Sequence, residues 1–277
     1  MRWRLSLALI LAPCLAHADP LTFQRATPLR SDLPGFGGLS AIEMQGPDSA
    51  IVLSDRGQAF TLTFDPDTRQ PKISPTAQPR PHRDSEGLAY AGGTLFFSYE
   101  GPGEIATRSG TTLPNHPDFV GFHNNGSLEA LAGAPDGTLY TLPERSGNPT
   151  HPFPIYRFRN DAWDIIGHLS RQDAFLPAGA DIGPDGTLYI LERAFGPLGF
   201  RSRIVRLDLN SAPLRAETLL TTPPGRHDNL EGLTIWQSQS GATCLTMVSD
   251  DNFLPVQRSE LVEYALTETL AQDASCD

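Results

Sequence analysis

A segment early in the chain, "PHRDSEGLAY" (81–90), is written again far downstream as "GRHDNLEGLTI" (225–235). Both place His, Arg and Asp shortly before Glu-Gly-Leu. The pair belongs to a longer series. Aligned on their short apolar runs, five units repeat, at 35–65, 84–101, 126–160, 177–210 and 228–267. The clearest match sets "APDGTLYTLPER" (134–145) against "GPDGTLYILER" (183–193). Asp-Gly in each marks a hairpin turn, because glycine adopts the positive φ that tight turns need. Every unit reads as strand, turn, strand, loop, strand and a weaker fourth strand. That order, at a spacing of roughly 40–50 residues, is the signature of a β-propeller blade. A sandwich would not explain the period. The sequence therefore predicts an all-β propeller of five four-stranded blades, with six as the alternative if 102–122 or 196–227 holds a degenerate blade. The segment "LTFQRATPL" (21–29) has no unit of its own. It is expected to pair beside 259–266 in the last blade and close the ring, since an open ring leaves exposed strand edges.

Residues 1–18 read as a secretory signal peptide. Arg2 and Arg4 precede an apolar run, Leu5 to Leu15, too short to span a bilayer, and Ala16-His17-Ala18 forms a small-x-small cleavage site. Cys14 would suit a lipoprotein, but Pro13 stands where that signal wants Gly or Ala. Residues 19–277 are then one propeller domain, periplasmic or secreted and expected to be a monomer. A net charge of −11 argues against nucleic acid and anionic membrane surfaces as partners, and no other segment is apolar for long enough to cross a membrane. The 25 glycines and 25 prolines are spread as turn punctuation rather than gathered in a low-complexity tract. Beyond the leader, Cys244 and Cys276 remain. They form either one bridge tying down the C-terminal tail or two free thiols.

In a blade, the start of the first strand and the end of the second lie on one face of the disc. Strand starts hold Asp84, Glu86, Glu129, Asp181, Asp228 and Glu231; second strands end at Asp55, Glu100, Glu144, Glu192 and Asp250. His82, His123 and His227 precede the glutamates, with Arg56, Arg83, Arg145, Arg193 and Arg226 nearby. So many carboxylates in one place repel one another unless a cation, an arginine or a shared proton offsets them. An oxygen-rich set favours a divalent cation, Ca²⁺ first and Mg²⁺ next, whereas the histidines would admit Zn²⁺ or Mn²⁺. The candidate metal ligands are Glu86, Glu129, Asp228, Glu231 and Asp250. Glu86, Glu231 and His227 are the candidate catalytic groups. Arg83, Arg145 and Arg193 are the candidates for holding an anionic or ester substrate. Each has an architectural alternative. Glu-Gly-Leu could serve packing near the axis, Glu144-Arg145 and Glu192-Arg193 could be ion pairs, and the histidines could be solvated. Asp136 and Asp185 read as turn chemistry alone. There is no Gly-x-Ser-x-Gly, phosphate loop, His-Glu-x-x-His or Cys-x-x-Cys.

In order, "SEGLAY" (85–90), "LEALA" (128–132), "GTLYTLPER" (137–145), "DIGPDGTLYILER" (181–193), "NLEGLTIW" (229–236) and "VSDDNF" (248–253) carry a family resemblance. The chain resembles the phytase-like, "esterase-like activity of phytase" family of secreted bacterial proteins over nearly all of 35–267. That resemblance implies a β-propeller, export, and hydrolase activity on phosphate or other esters. The chain is also distantly similar to calcium-dependent β-propeller phytases. It lacks an acidic run like their paired-metal motif and has modest basic charge for a polyphosphate, which disfavours phytate. Three functions stay open: metal-assisted hydrolysis of a phosphate or carboxylic ester at one mouth of the channel, a Ca²⁺-dependent lactonase-type hydrolysis, and a non-catalytic periplasmic binding or scaffold role.

Overall fold

The computed structural model describes residues 20–76, 83–101, 103–122, 126–267 and 275–276. The expected signal peptide (1–18), His82 and His123 lie outside the described residues. The chain opens with β1 (Leu21–Pro28). Blade I follows as β2 (Leu39–Met44), β3 (Ser49–Ser54), β4 (Gln58–Phe64) and β5 (Pro71–Thr76). Blade II is β6 (Ser85–Ala91), β7 (Thr94–Tyr99) and β8 (Glu104–Thr107). Blade III is β9 (Ala130–Gly133), β10 (Leu139–Leu142), β11 (Phe153–Arg159) and β12 (Ala162–Leu169). Blade IV is β13 (Leu176–Ile182), β14 (Leu188–Gly196), β15 (Gly199–Asp208) and β16 (Arg215–Thr221). Blade V is β17 (Asn229–Gln237), β18 (Thr243–Asp250) and β19 (Glu260–Leu266), with β1 as its outermost strand. The innermost strands β2, β6, β9, β13 and β17 neighbour one another in that order, and β17 returns to β2. The fold is a five-bladed β-propeller. The segments that could have hidden a sixth blade hold β8, a 3₁₀ turn at Pro117–Gly121 and the outer strands of blade IV.

Blade II departs from four full strands. Its fourth is reduced to a single bridge, Ala106 to Thr112. Phe119 of the 3₁₀ turn fills the space instead, edge-on to Tyr156 at 5.0 Å and to Trp163 at 5.3 Å. The ring closes as expected: β1 runs antiparallel to β19, from Leu21 opposite Leu266 to Pro28 opposite Glu260. Buried Glu263 on β19 strengthens the closure, accepting from Arg25 of β1 at 2.5 Å and pairing with Arg69 of blade I at 3.4 Å. Cys244 of β18 and Cys276 are bridged, with Cα atoms 5.8 Å apart, so the tail is tied to the last blade.

The apolar core is divided among the blade interfaces. Between blades V and I, for example, Ile42, Val52 and Phe60 meet Trp236, Val248 and Leu261. Equivalent clusters fill the other four interfaces. No blade covers both of its faces without two neighbours, which is why the sequence must supply a complete ring. The Asp-Gly turns behave as expected. Gly137 and Gly186 have φ of +91° and +76°, and Asp136 and Asp185 each accept from the backbone N–H two residues on, at 3.0 Å.

One irregularity recurs in the inner strands. Pairing with the second strand skips a residue between Leu39 and Ala41, Ser85 and Gly87, Pro177 and Gly179, and Leu230 and Gly232. Each is a β-bulge, which leaves one residue unpaired and re-aims its side chain. The unpaired residues are Ser40, Glu86, Ala178 and Glu231, and in blade III Glu129 stands just before β9. The next residue is always Gly or Ala, because the adjoining inner strand crosses there. A Cβ on Gly232 would lie 2.8 Å from the Cα of Ala41 and 2.7 Å from Val248 Cγ2; one on Gly87 would lie 2.8 Å from Leu131 Cβ. Gly232→Ala is accordingly expected to destabilise the fold by about 1–3 kcal/mol through overpacking. Gly121→Ala, where an added Cβ meets nothing within 4 Å, should stay within about 0.5 kcal/mol of the parent. Denaturant unfolding of the two variants checks this; equal costs would mean that the inner strands are not in the contact described.

Candidate functional site

The bulged Glu86 and Glu231, and Glu129 just before β9, enter one mouth of the channel. There a cavity of about 330 Å³ is lined by Asp55, Asp84, Glu86, Glu100, Glu129, Glu144, Glu231 and Asp250, together with Arg145, Arg193, Gly126 and Asn252. Eight carboxylates thus face two guanidinium groups. Below the cavity the inner strands close on a void of only about 10 Å³ among residues such as Ala41, Gly87, Leu131 and Leu233. The cavity therefore has a floor.

Glu86, Glu100 and Glu129 each present an oxygen within 4.8 Å of the other two, a spacing that could hold a metal ion. Glu100 accepts from Ser127 Oγ at 3.2 Å with one oxygen, while its buried Oε1 has no hydrogen-bond partner among the described residues. A buried carboxylate oxygen without a donor is costly, and a hard cation would satisfy it. The oxygen-only trio thus fits a divalent ion. Opposite it, Arg193 spans the cavity, with Nη1 3.1 Å from Glu231 Oε1 and Nη2 3.3 Å from Glu144 Oε1. Arg193 Nη1 also donates to Asn229 Oδ1 at 3.1 Å, and Asn229 Nδ2 donates to Glu231 at 2.7 Å.

Burial sets the protonation of this group. It raises Glu86 and Glu129 well above the ordinary carboxylate range, helped by the neighbouring carboxylates. Burial pushes Glu231 up to about 7, with Arg193 pulling against it, and Asp250 up to about 6, with the Asn252 N–H pulling against it. Burial works against the charge of Arg193, but Glu231, Glu129 and Glu144 more than offset it.

Of the residues singled out from the sequence, Glu86, Glu129, Glu231, Asp250, Arg145 and Arg193 come together here. Others do not. Asp228 turns away from the cavity and accepts from the backbone N–H of Arg258 at 2.9 Å and from Gln257 at 3.2 Å, so its oxygens hold a loop and are not free for a metal. His227 is buried beside it, with Nε2 2.8 Å from the Tyr264 hydroxyl, and lines a separate groove. Burial lowers it to about 4, so it is neutral but out of reach of the cavity. Arg83 lies against the Tyr99 ring and pairs with Glu104 at 3.6 Å. Glu192, adjacent to Arg193 in β14, points to the other side of the strand and makes a fully buried pair with Arg203 at 2.7 Å, not with Arg193. Asp181 lies near the far end of β13 and accepts from Ile235 N at 2.6 Å and Thr234 Oγ1 at 3.2 Å, linking blades IV and V at the opposite mouth. Glu100 enters as a ligand candidate that strand position alone had not separated from its neighbours. Its signal is pairing: β6 and β7 set Ser85 opposite Tyr99 and hence Glu100 opposite Asp84, and the bulge turns Glu86 toward the same place.

Fold and site together define a five-bladed β-propeller with an acidic pocket at one end of its channel. The Phytase-like family model, "Esterase-like activity of phytase", matches residues 34–253, and the chain belongs to that family. No curated protein matches the sequence significantly. Among solved structures the chain is similar to glutaminyl cyclase of Myxococcus xanthus, with 13% identity over 88% of this chain and 95% of that one and a TM-score of 0.49. It is also similar to YCF48 bound to D1 peptide, with 10% identity over 91% and 98% of the two chains and a TM-score of 0.40. Among the described residues no helix is long and apolar enough to cross a membrane.

The raised carboxyls give a signed pH dependence. A group whose folded pKa lies above its unfolded value contributes stability that is present below the unfolded pKa and lost as pH rises through the folded one. For Asp250 and Glu231 that loss falls around pH 6 to 7. The Tm of the chelator-treated protein is expected to fall between pH 5 and pH 8. Added Ca²⁺ should raise Tm more at pH 8 than at pH 5, since the cation competes with protons for the same oxygens. A thermal-shift series settles it: a Tm that is flat with pH and indifferent to Ca²⁺ would remove the cation from this cavity.

Proposed function

We propose that the protein is an exported, metal-assisted hydrolase of a phosphate or carboxylic ester, acting in the acidic cavity. The observation that carries this reading is the oxygen-only trio Glu86, Glu100 and Glu129, with one orphaned oxygen, set opposite an arginine in a floored pocket. Family membership supports esterase-type chemistry. The Cys244–Cys276 bridge and the leader-like residues 1–18 support an oxidising, periplasmic or extracellular setting.

In this reading Glu86, Glu100 and Glu129 hold the divalent cation, Ca²⁺ by the hardness of its ligands. When bound, that cation supplies Lewis acidity toward the ester oxygen and eases the ionisation of water. Glu231 takes the proton from the attacking water, because a carboxylate near 7 is half-ionised at neutral pH and matched to that task. Arg193, partly exposed in the cavity wall, holds Glu231 in place and sets a positive charge beside the anionic oxygen of the substrate. Arg145, exposed at the rim and paired with Glu144 at 3.1 Å, meets the substrate's anionic end. Asp250 completes the wall.

The test is turnover of p-nitrophenyl phosphate, p-nitrophenyl acetate and a lactone panel, with and without chelator and Ca²⁺. No metal-dependent turnover on any of them would leave a binding or scaffold propeller, and turnover on lactones alone would select the lactonase-type reaction. Two substitutions separate chemistry from architecture. Glu231→Gln is expected to cost roughly 10²–10⁴-fold in kcat, as loss of a general base does, with folding kept. Glu192→Gln leaves Arg203 buried without its counter-charge and should cost about 3–5 kcal/mol of stability while sparing kcat of the folded fraction. Small and equal losses from both would make the carboxylate array architecture.

A further inference from the structure

A groove of about 450 Å³ adjoins the acidic cavity on the blade IV–V side, walled by Phe195, Phe200, Leu254 and Val256 with buried His227 in its floor. Val256, Leu198 and Phe195, at 85%, 79% and 73%, are the most exposed large apolar side chains among the described residues; Val256 and Phe195 line this groove and Leu198 precedes its Gly199. Exposed apolar side chains gathered in one place mark a binding surface rather than ordinary surface noise. The volume lies in the range of small-molecule pockets, roughly 300–1,000 Å³.

The walls of the groove continue those of the cavity. Phe195 lies two residues beyond Arg193 on β14, so the two side chains share a face. Asp228 precedes Asn229, which accepts from Arg193. Leu254 lies two residues beyond Asn252 in the loop after β18. The charges near the groove cancel: Arg258 pairs with Asp228 at 3.7 Å, and His227 is neutral. The Phe195 and Phe200 rings meet at a tilt, with centroids 4.8 Å apart, and form an uncharged aromatic wall. The two pockets share no lining residue, but neighbouring residues of the same strand and loops wall them, so a charged pocket lies next to a largely apolar one.

We propose that this groove holds the apolar chain of the substrate, which makes the substrate class an amphiphilic ester with its ester head in the acidic cavity and an alkyl or aryl chain along Phe195, Leu254 and Val256. This rests on the hydrolase reading, and the experiment keeps the two apart. In the first arm, p-nitrophenyl acetate, butyrate and octanoate are compared on the parent, Phe195→Ser and Val256→Ser proteins. The parent should gain about threefold in kcat/KM, chiefly through KM, for each methylene the groove covers. The octanoate-to-acetate ratio should drop roughly tenfold in each variant. In the second arm, which needs no turnover, binding of N-phenyl-1-naphthylamine is followed by fluorescence. The probe should be displaced by octyl phosphate but not by inorganic phosphate, and should bind more weakly to both variants. If no ester is turned over yet the second arm holds, the hydrolase reading fails and the groove stands. Metal-dependent turnover that is flat across chain length and unchanged by both substitutions would overturn the groove and leave the hydrolase intact. A concentration-dependent dimer that Phe195→Ser abolishes, with no displacement by octyl phosphate, would also overturn it, because a second copy would then be what covers this surface.

Discussion

Five inner strands meet around one axis, and the distance between them leaves room for no more than a methyl group at the position after the displaced residue. Gly87, Gly179 and Gly232 stand there, with Ala41 and Ala130 in the remaining blades, and neighbouring backbone occupies the space a larger residue would need. The preceding residue is displaced from the pairing ladder by the same bulge and has only the channel mouth to enter. Glu-Gly is therefore one device with two halves: the glycine permits the crossing and the glutamate uses the direction that the crossing creates. Blades II and V carry both halves, and blade III carries Glu-Ala. Blades I and IV keep the geometry without the acid, at Ser40 and Ala178. Ser40 donates to the Ser85 carbonyl at 2.7 Å and is spent on packing.

The same ring explains how so many buried acids are tolerated. Apolar burial is distributed over five blade interfaces, so the cost of a polar channel mouth falls on no single core. Burial raises the pKa of Glu86 and Glu129, so their charged forms are disfavoured, and Arg193 reaches Glu144 of blade III and Glu231 of blade V. The outer rim is held differently. Glu263 sits between Arg25 of the closing strand and Arg69 of the first blade, and removing it would leave Arg69 buried against Phe64 and Trp236 without a counter-charge.

The blades were legible because a repeat needs only local patterning: Asp-Gly turns and short apolar runs show in the text whatever the chain does at long range. The convergence of Glu86, Glu129, Glu231 and Asp250 was legible for the same reason, since equivalent places in equivalent blades share a face. What the text hides is parity and partner. Glu192 and Arg193 are neighbours in sequence, yet a strand sends them to opposite faces, and the partner of Glu192 is Arg203, opposite it on β15. In "RHDNLEGL", Glu231 reaches the cavity and Asn229 bonds to it from behind, whereas His227 and Asp228 precede the strand and line the apolar groove. Their spacing from Glu231 resembles that of a ligand cluster, and only the path of the loop separates them. Asp181 shows the complementary error: it sits in the right blade and the right strand but near the opposite end.

The absence of a glutamate from blade IV gives the pocket its direction. If the equivalent place in all five blades carried an acid, the mouth would be uniformly negative and a cation would have no preferred side. With Ala178 in blade IV, Arg193 lies across that sector, and the free oxygens gather on blades II and III around Glu86, Glu100 and Glu129. The mouth thus has an oxygen-only side and a side where Arg193 pairs with Glu144 and Glu231. The apolar groove opens only beside the second. A head group lying between the two halves would have its anionic oxygen toward Arg193 and its chain leaving past Phe195. The reverse orientation would bury that chain among carboxylates, without compensating contacts and at the desolvation cost of the acids it covered. In the proposed reaction, the small residues at the bulges of blades I and IV would thus set which way a substrate lies.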